Sequence, residues 1–282
     1  MDWWHGLVSG LPFEWARYEF MRNALLAMVL VSPLFSLMGA LVVSQRLAFY
    51  SDAVGHSALA GLGIGLLLGM ADPFWAMIIF SALFGLSIFG VKKWTAVPVD
   101  TVIGLLMSFA VALGVVLLSR GGNFMKVGHF LVGDLLSITP EQIGRLVMLM
   151  VPATFLVLRS FNALTLASLS PSLAASRGLG AGRAEIIFGL LVALAVTLNL
   201  QWVGILIINS LLILPAAAAR NIARNLPWYV ALSMGIGLAC SVTGLLAAYY
   251  LDTSAGATIV LVAMAVFAVT AVLARGRAPR GH

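Results

Sequence analysis

The feature that most constrains this chain is a succession of apolar runs, each about as long as a bilayer is thick and nearly free of charge. A helix needs about 20 apolar residues to cross the hydrocarbon layer. Runs of that kind occupy Phe20–Val43, Val54–Met70, Pro73–Val91, Thr101–Leu118, Ile143–Leu158, Ala184–Leu200, Val203–Ala219, Trp228–Tyr250 and Gly256–Ala274. Membrane β-strands alternate polar and apolar residues, and these runs do not. Of the 282 residues 62% are hydrophobic and 9% charged, against about 25% charged in a soluble domain. No water-soluble core hides that much apolar surface. The chain therefore reads as all-α: a polytopic transmembrane helical bundle, one membrane domain over residues 1–282. The expected span count is nine, or eight if the seventh, interrupted by Pro215, is broken or partly re-entrant.

The charges between the runs set the orientation. Net charge is +6, but the basic residues stand singly between apolar segments and form no stripe of the kind that binds nucleic acid. Lys and Arg gather on cytoplasmic loops. With the C-terminus inside, eleven of the 16 basic residues fall inside, among them Arg46, Lys92, Lys93, Arg159, Arg183, Arg220, Arg224 and Arg275; Arg17, Arg22, Arg120, Lys126 and Arg145 fall outside. The expected location is the cell (inner) membrane, in multi-pass form. Residues 1–19, with Trp3, Trp4, Trp15 and Tyr18, suit an interfacial segment and lack the basic start of a removable signal peptide. Residues 275–282 form a short basic tail. The outer segment Gly121–Pro140 is too polar to span, and a short helix is expected at His129–Leu136. The inner connection Ser160–Arg183 is long and rich in Ser, Ala and Gly. Pro171 can begin a short helix there and Gly178 or Gly180 can end it.

The chemistry concentrates in Gln45–Gly69, QRLAFYSDAVGHSALAGLGIGLLLG. Asp52 and His56, four residues apart, share a helix face at the entrance to an apolar run, where ionisable groups are costly and usually functional. Carboxylate and imidazole suit Zn²⁺ and are acceptable to Mn²⁺ or Fe²⁺. Two ligands make an incomplete site, as a transported ion requires. The competing reading is that Asp52 caps a helix N-terminus. Asp134 is a further candidate for gathering cations, and Asp100 reads as a cap. Ser57, Gly61, Gly65 and Gly69 form a small-residue stripe that lets a second helix come close. In Val203–Arg220, Pro215 cannot donate to the carbonyl of Leu211 and should kink the helix; Asn209 and Ser210 are its polar members. No glycine is followed by lysine, so a Walker phosphate loop is absent and ATP, if used, is hydrolysed by another polypeptide. Two other classes fit less well. A channel or secondary transporter would carry more charge within its spans. An intramembrane hydrolase using His56 with Ser108 or Ser210 lacks triad spacing.

Four motifs in order, Asp52-Ala-Val-Gly-His56-Ser-Ala-Leu-Ala-Gly61, Phe130-Leu-Val-Gly-Asp134-Leu-Leu136, Val203-Gly-Ile-Leu with Leu-Ile-Leu-Pro215-Ala-Ala-Ala-Ala-Arg220, and Tyr250-Leu-Asp252-Thr-Ser-Ala-Gly256-Ala, resemble the permease subunits of bacterial zinc/manganese ABC importers, zinc-uptake permeases above all. The resemblance runs from about Phe20 to Ala274. It implies the fold of metal-ion and vitamin-uptake permeases, a homodimer with the ion path between the copies, and delivery by an extracytoplasmic metal-binding protein. It also implies a cytoplasmic ABC ATPase docked on Ser160–Arg183, through Ser170, Pro171, Ser172, Leu173, Ala174, Ala175 and Gly178. Nothing is permanently bound; the cargo is Zn²⁺, or Mn²⁺ or Fe²⁺, and ATP sits on the partner. The family's acidic and histidine residues of the metal path fall on Asp52 and His56. Where zinc-type members often place a histidine in the fourth span this chain has Met107-Ser108-Phe109, and where manganese-type members often place proline it has Ala60.

Overall fold

The computed structural model describes residues 12–120, 133–169 and 181–275. Among the described residues a one-turn 3-10 helix, Glu14–Arg17, leads into nine α-helices: α1 Glu19–Ser44, α2 Ala48–Leu67, α3 Phe74–Trp94, α4 Val99–Arg120, α5 Pro140–Leu169, α6 Ala181–Val203, α7 Ile205–Ile222, α8 Leu226–Tyr250 and α9 Ala255–Arg275. Eight are long and apolar enough to cross a membrane. The remaining one is α2, whose Tyr50, Ser51, Asp52, His56 and Ser57 dilute its apolar character. It is compensated by burial inside the bundle, where Tyr50, Ala53, Val54, Ala58 and Ala60 have no exposed surface.

The bundle is built around α1 and α2. In its apolar window α1 is 72% buried, against 17% for the peripheral α9. It packs against α7 and α8, where Ser233 Oγ donates to the Ser36 carbonyl at 2.9 Å and the Tyr229 hydroxyl to that of Ala40 at 3.3 Å. Small residues set the closest approach: a Cβ on Gly39 would overlap the carbonyl oxygen of Leu212 and lie 2.7 Å from its carbon. On its other sides α2 meets α3, α4 and α6. Three members of the small-residue stripe line the α2–α3 seam. Ser57 Oγ lies 3.5 Å from Ser81 Oγ, Gly61 faces Ala76 and Met77, and Gly65 faces Pro73. The fourth does not pack. Gly69 lies beyond the helix at φ +67° with nothing near its absent side chain, and it closes α2: Gly69 N–H donates to Leu66 O and Met70 N–H to Gly65 O, the Schellman arrangement in which glycine takes the left-handed position.

Two connections differ from the sequence expectation. Helix α5 runs through Ser160 to Leu169, so the first ten residues of the expected Ser160–Arg183 loop are helical. Leu164 is buried in this added stretch. The coupling residues Ser170, Pro171, Ser172, Leu173, Ala174, Ala175 and Gly178 lie outside the described residues. Between α4 and α5, the described part of the expected helix His129–Leu136 is only a 3-10 turn, Leu135–Ser137; His129 itself lies outside. Helix α5 then starts from a reciprocal cap, with Thr139 N–H donating to Gln142 Oε1 and Gln142 N–H to Thr139 Oγ1, and with Pro140 in the first position, where a missing N–H costs nothing.

Candidate functional site

Helix α2 begins after a tight reversal. Gln45 N–H donates to Leu41 O and Leu47 N–H to Val42 O, and Arg46 takes φ 58°. The helix therefore starts at Ala48, and Leu47, not Asp52, occupies its N-cap position. Asp52 is in the second turn, so capping is not its role. Asp100 likewise sits inside the first turn of α4, where an acid complements the helix dipole.

The seam fixes the depth of the pair. Residues 57, 61 and 65 of α2 face 81, 76–77 and 73 of α3. Carried back along this antiparallel register, Asp52 falls opposite the turn around Gly85, midway along Phe74–Trp94. Tyr50 fits the same register: its hydroxyl lies over Gly85 and donates to the Gly189 carbonyl at 3.0 Å. Val54–Met70 as a span would leave Asp52 at the inner edge. Instead α2 starts at Ala48, within the bundle, and carries Asp52 to mid-height.

Asp52 and His56 share one face, with His56 Nε2 3.7 Å from Asp52 Oδ1 and side chains 24% (His56) and 30% (Asp52) exposed. That separation is too long for a hydrogen bond; the two groups are side by side rather than consumed by each other. Opposite them stands α7. It meets α6 at a single non-helical residue, Gly204, at φ 81°, where the chain turns back antiparallel to α2. Ile205 abuts Gly55, and Asn209 Nδ2 donates to Asp52 Oδ1. The turn lies below the outer end of α2, since Leu200 and Ile205 cluster with Ala58, Leu59 and Leu62 while α2 continues to Leu67. Helix α7 is continuous through Pro215.

Asp52, His56, Asn209 and Ser210 open onto one cavity of about 590 Å³, walled by Phe49, Ile205, Leu206, Ile213, Leu214 and Val260. Asn209 Oδ1 and Ser210 Oγ are buried and have no hydrogen-bond partner among the described residues. The arrangement presents a carboxylate and an imidazole to the cavity, with room for water, and Asn209 holds the carboxylate through its N–H. Among the described residues no three His, Cys, Asp or Glu side chains converge. Asp134 does not join the pair. It is exposed at the start of the 3-10 turn. Ser108 is exposed on α4 and donates to Gly104 O. Asn209 is the residue whose partnership the sequence did not reveal: 157 positions separate it from Asp52, and the available signal was a lone Asn in an apolar run.

Known proteins share this architecture. A solved structure titled PsaBC from Streptococcus pneumoniae in complex with Fab superposes with a TM-score of 0.78 at 27% identity, covering 90% of this chain and 91% of that one. The high-affinity zinc uptake system membrane protein ZnuB of Haemophilus influenzae is 28% identical over 86% of this chain and 94% of its own length. The manganese import system permease protein ScaB of Streptococcus gordonii is 28% identical over 90% and 91%. A family model described as the ABC 3 transport family matches residues 17–274, a range that takes in both faces of the cavity and all nine helices but for the last residue of α9. This chain, a multi-pass protein of the cell membrane, belongs to the ABC 3 transport family.

Proposed function

We propose that the chain is the membrane-spanning subunit of an ATP-driven importer of divalent metal ions, with zinc as the cargo. The observation that carries this reading is the Asp52–His56–Asn209 constellation at mid-height of the bundle, in a family whose relatives include proteins named for zinc and for manganese uptake. A mixed nitrogen and oxygen donor set with an open position suits zinc. Manganese is the second reading, favoured by the carboxylate of Asp52, since harder oxygen ligands suit that ion, and by relatives named for manganese uptake. Asp52 and His56 hold the ion during passage, and Asn209 fixes the carboxylate.

Two further elements belong to the proposal. A carboxylate and an imidazole about a quarter exposed at this depth would be costly against lipid, so a second copy of the chain covers the cavity and the ion passes between the two. The chain contains no Walker loop; a separate cytoplasmic ATPase docks on the 170–180 connection, and an extracytoplasmic protein delivers the ion.

The reading is tested by reconstituting the chain with its ATPase and binding protein in liposomes and following zinc and manganese entry separately. ATP-dependent zinc flux is expected, and flux by the chain alone without ATP would overturn the proposal. In the same assay Asn209→Leu should lower transport by about 10- to 100-fold, the usual cost of removing an outer partner of a metal ligand. Asn209→Gln should recover part of the loss. Equal flux by Asn209→Leu and wild type would remove Asn209 from the site.

A further inference from the structure

At the basic end of the bundle two cavities adjoin and share Arg224 and Asn225. The first, about 470 Å³, is lined by Ser44, Arg46, Arg220, Arg224 and Tyr229 together with the N-terminal turn of α8. Its three guanidinium groups come from three places in the chain: the α1–α2 reversal, the last turn of α7 and the α7–α8 connection. Among the described residues no carboxylate lines it. Among the described residues the Lys and Arg ion pairs are elsewhere, Lys92 with Glu185 and Arg145 with Glu141. The second cavity, about 650 Å³, is lined below Arg224 and Asn225 by Ile222, Trp228, Leu232 and Leu273. Trp228 is 53% exposed and Leu273 55%, so this groove faces outward along α8 and α9. A cationic recess thus continues into an apolar groove, with a tryptophan at the junction, where the membrane interface favours that side chain.

We propose that the two cavities form one binding site for an anionic phospholipid: the headgroup phosphate on Arg46, Arg220 and Arg224, and an acyl chain along Trp228, Leu232 and Leu273. Three cations held together without a counter-charge repel one another, and basic pockets between helices on the cytoplasmic side recognise anionic headgroups. The apolar groove distinguishes a lipid from a free anion, which has no use for it. Arg220 ends α7, the helix that presents Asn209 to Asp52, so the headgroup anchors the basic end of that helix. The site is independent of which ion the protein carries.

The test is native mass spectrometry of the purified full-length chain with phosphatidylglycerol and, separately, phosphatidylcholine. Wild type should retain phosphatidylglycerol preferentially. Each guanidinium near the phosphate contributes about fivefold in affinity, so Arg46→Gln with Arg224→Gln should weaken retention by about 25-fold and leave phosphatidylcholine unchanged. Leu273→Trp, which fills the groove, should also displace the lipid. Equal retention of the two lipids by wild type, a measurement that needs no variant, overturns the proposal. So does full displacement of phosphatidylglycerol by millimolar inorganic phosphate with no effect of Leu273→Trp, which would make the recess a site for free anions.

Discussion

Asp52→Asn combined with His56→Gln is expected to reduce metal uptake to background while the protein still inserts, assembles and melts as wild type does. Both replacements are close in shape. The amide introduced by Asp52→Asn would still offer an oxygen to the Asn209 side chain, which now donates to Asp52 Oδ1, and His56, 3.7 Å from Asp52, is fixed by no hydrogen bond to any described residue. The side chains are about a quarter exposed to the cavity, so the folding cost should stay near about 1 kcal/mol, the scale of one net hydrogen bond. The functional cost is of another order. The variant removes the negative charge and the imidazole nitrogen together, the two donors proposed to hold the ion. The loss should exceed the upper, about 100-fold, end of what outer partners of a metal ligand contribute. Uptake is read in a strain lacking its own copy, at limiting zinc, with protein level in the membrane measured alongside. Near-normal growth by the double variant would refute a role for the pair in the ion path.

The largest structural effect is expected at Gly39. Its absent side chain lets the backbone of α1 touch the backbone of α7. A Cβ there would overlap the Leu212 carbonyl oxygen and lie 2.7 Å from its carbon and 3.0 Å from its Cα. Those are main-chain atoms, which cannot rotate out of the way, so α7 itself must move. Gly39→Val should therefore cost about 3 kcal/mol or more, the upper end of overpacking, and Gly39→Ala should already destabilise. Because α7 carries Asn209 and Ser210 to the cavity, residual folded protein should also transport poorly. Gly90→Ala is the control. Nothing lies within 4 Å of its added Cβ, and alanine favours helix over glycine by about 1 kcal/mol. Thermal unfolding of the three variants in detergent should rank Gly90→Ala at or above wild type and Gly39→Val lowest. If Gly39→Val melts with wild type, the helices are not in backbone contact.

The helices themselves were legible because membrane spans are written in composition. Every expected run coincides with one of α1 to α9, since twenty uncharged residues have no other stable state in hydrocarbon. Helix ends were less legible. Ala48–Ala53 lie outside the expected run Val54–Met70, and Ser160–Leu169 inside the connection expected at Ser160–Arg183. Both are helical because neighbouring helices cover one side of them, an effect of partners distant in sequence.

The sequence by itself determined the fold class, the membrane setting and the family resemblance, and it nominated Asp52 and His56 as candidates, because four-residue spacing on a helix and the cost of burying charge are local properties. It also supplied three of the four contacts of the small-residue stripe. The tertiary structure decided the depth of the pair, the turn of α7 at Gly204 and the pairing of Asn209 with Asp52. Those depend on register between helices, and register is set by which glycines and serines meet across a seam, information that no single stretch of the chain contains.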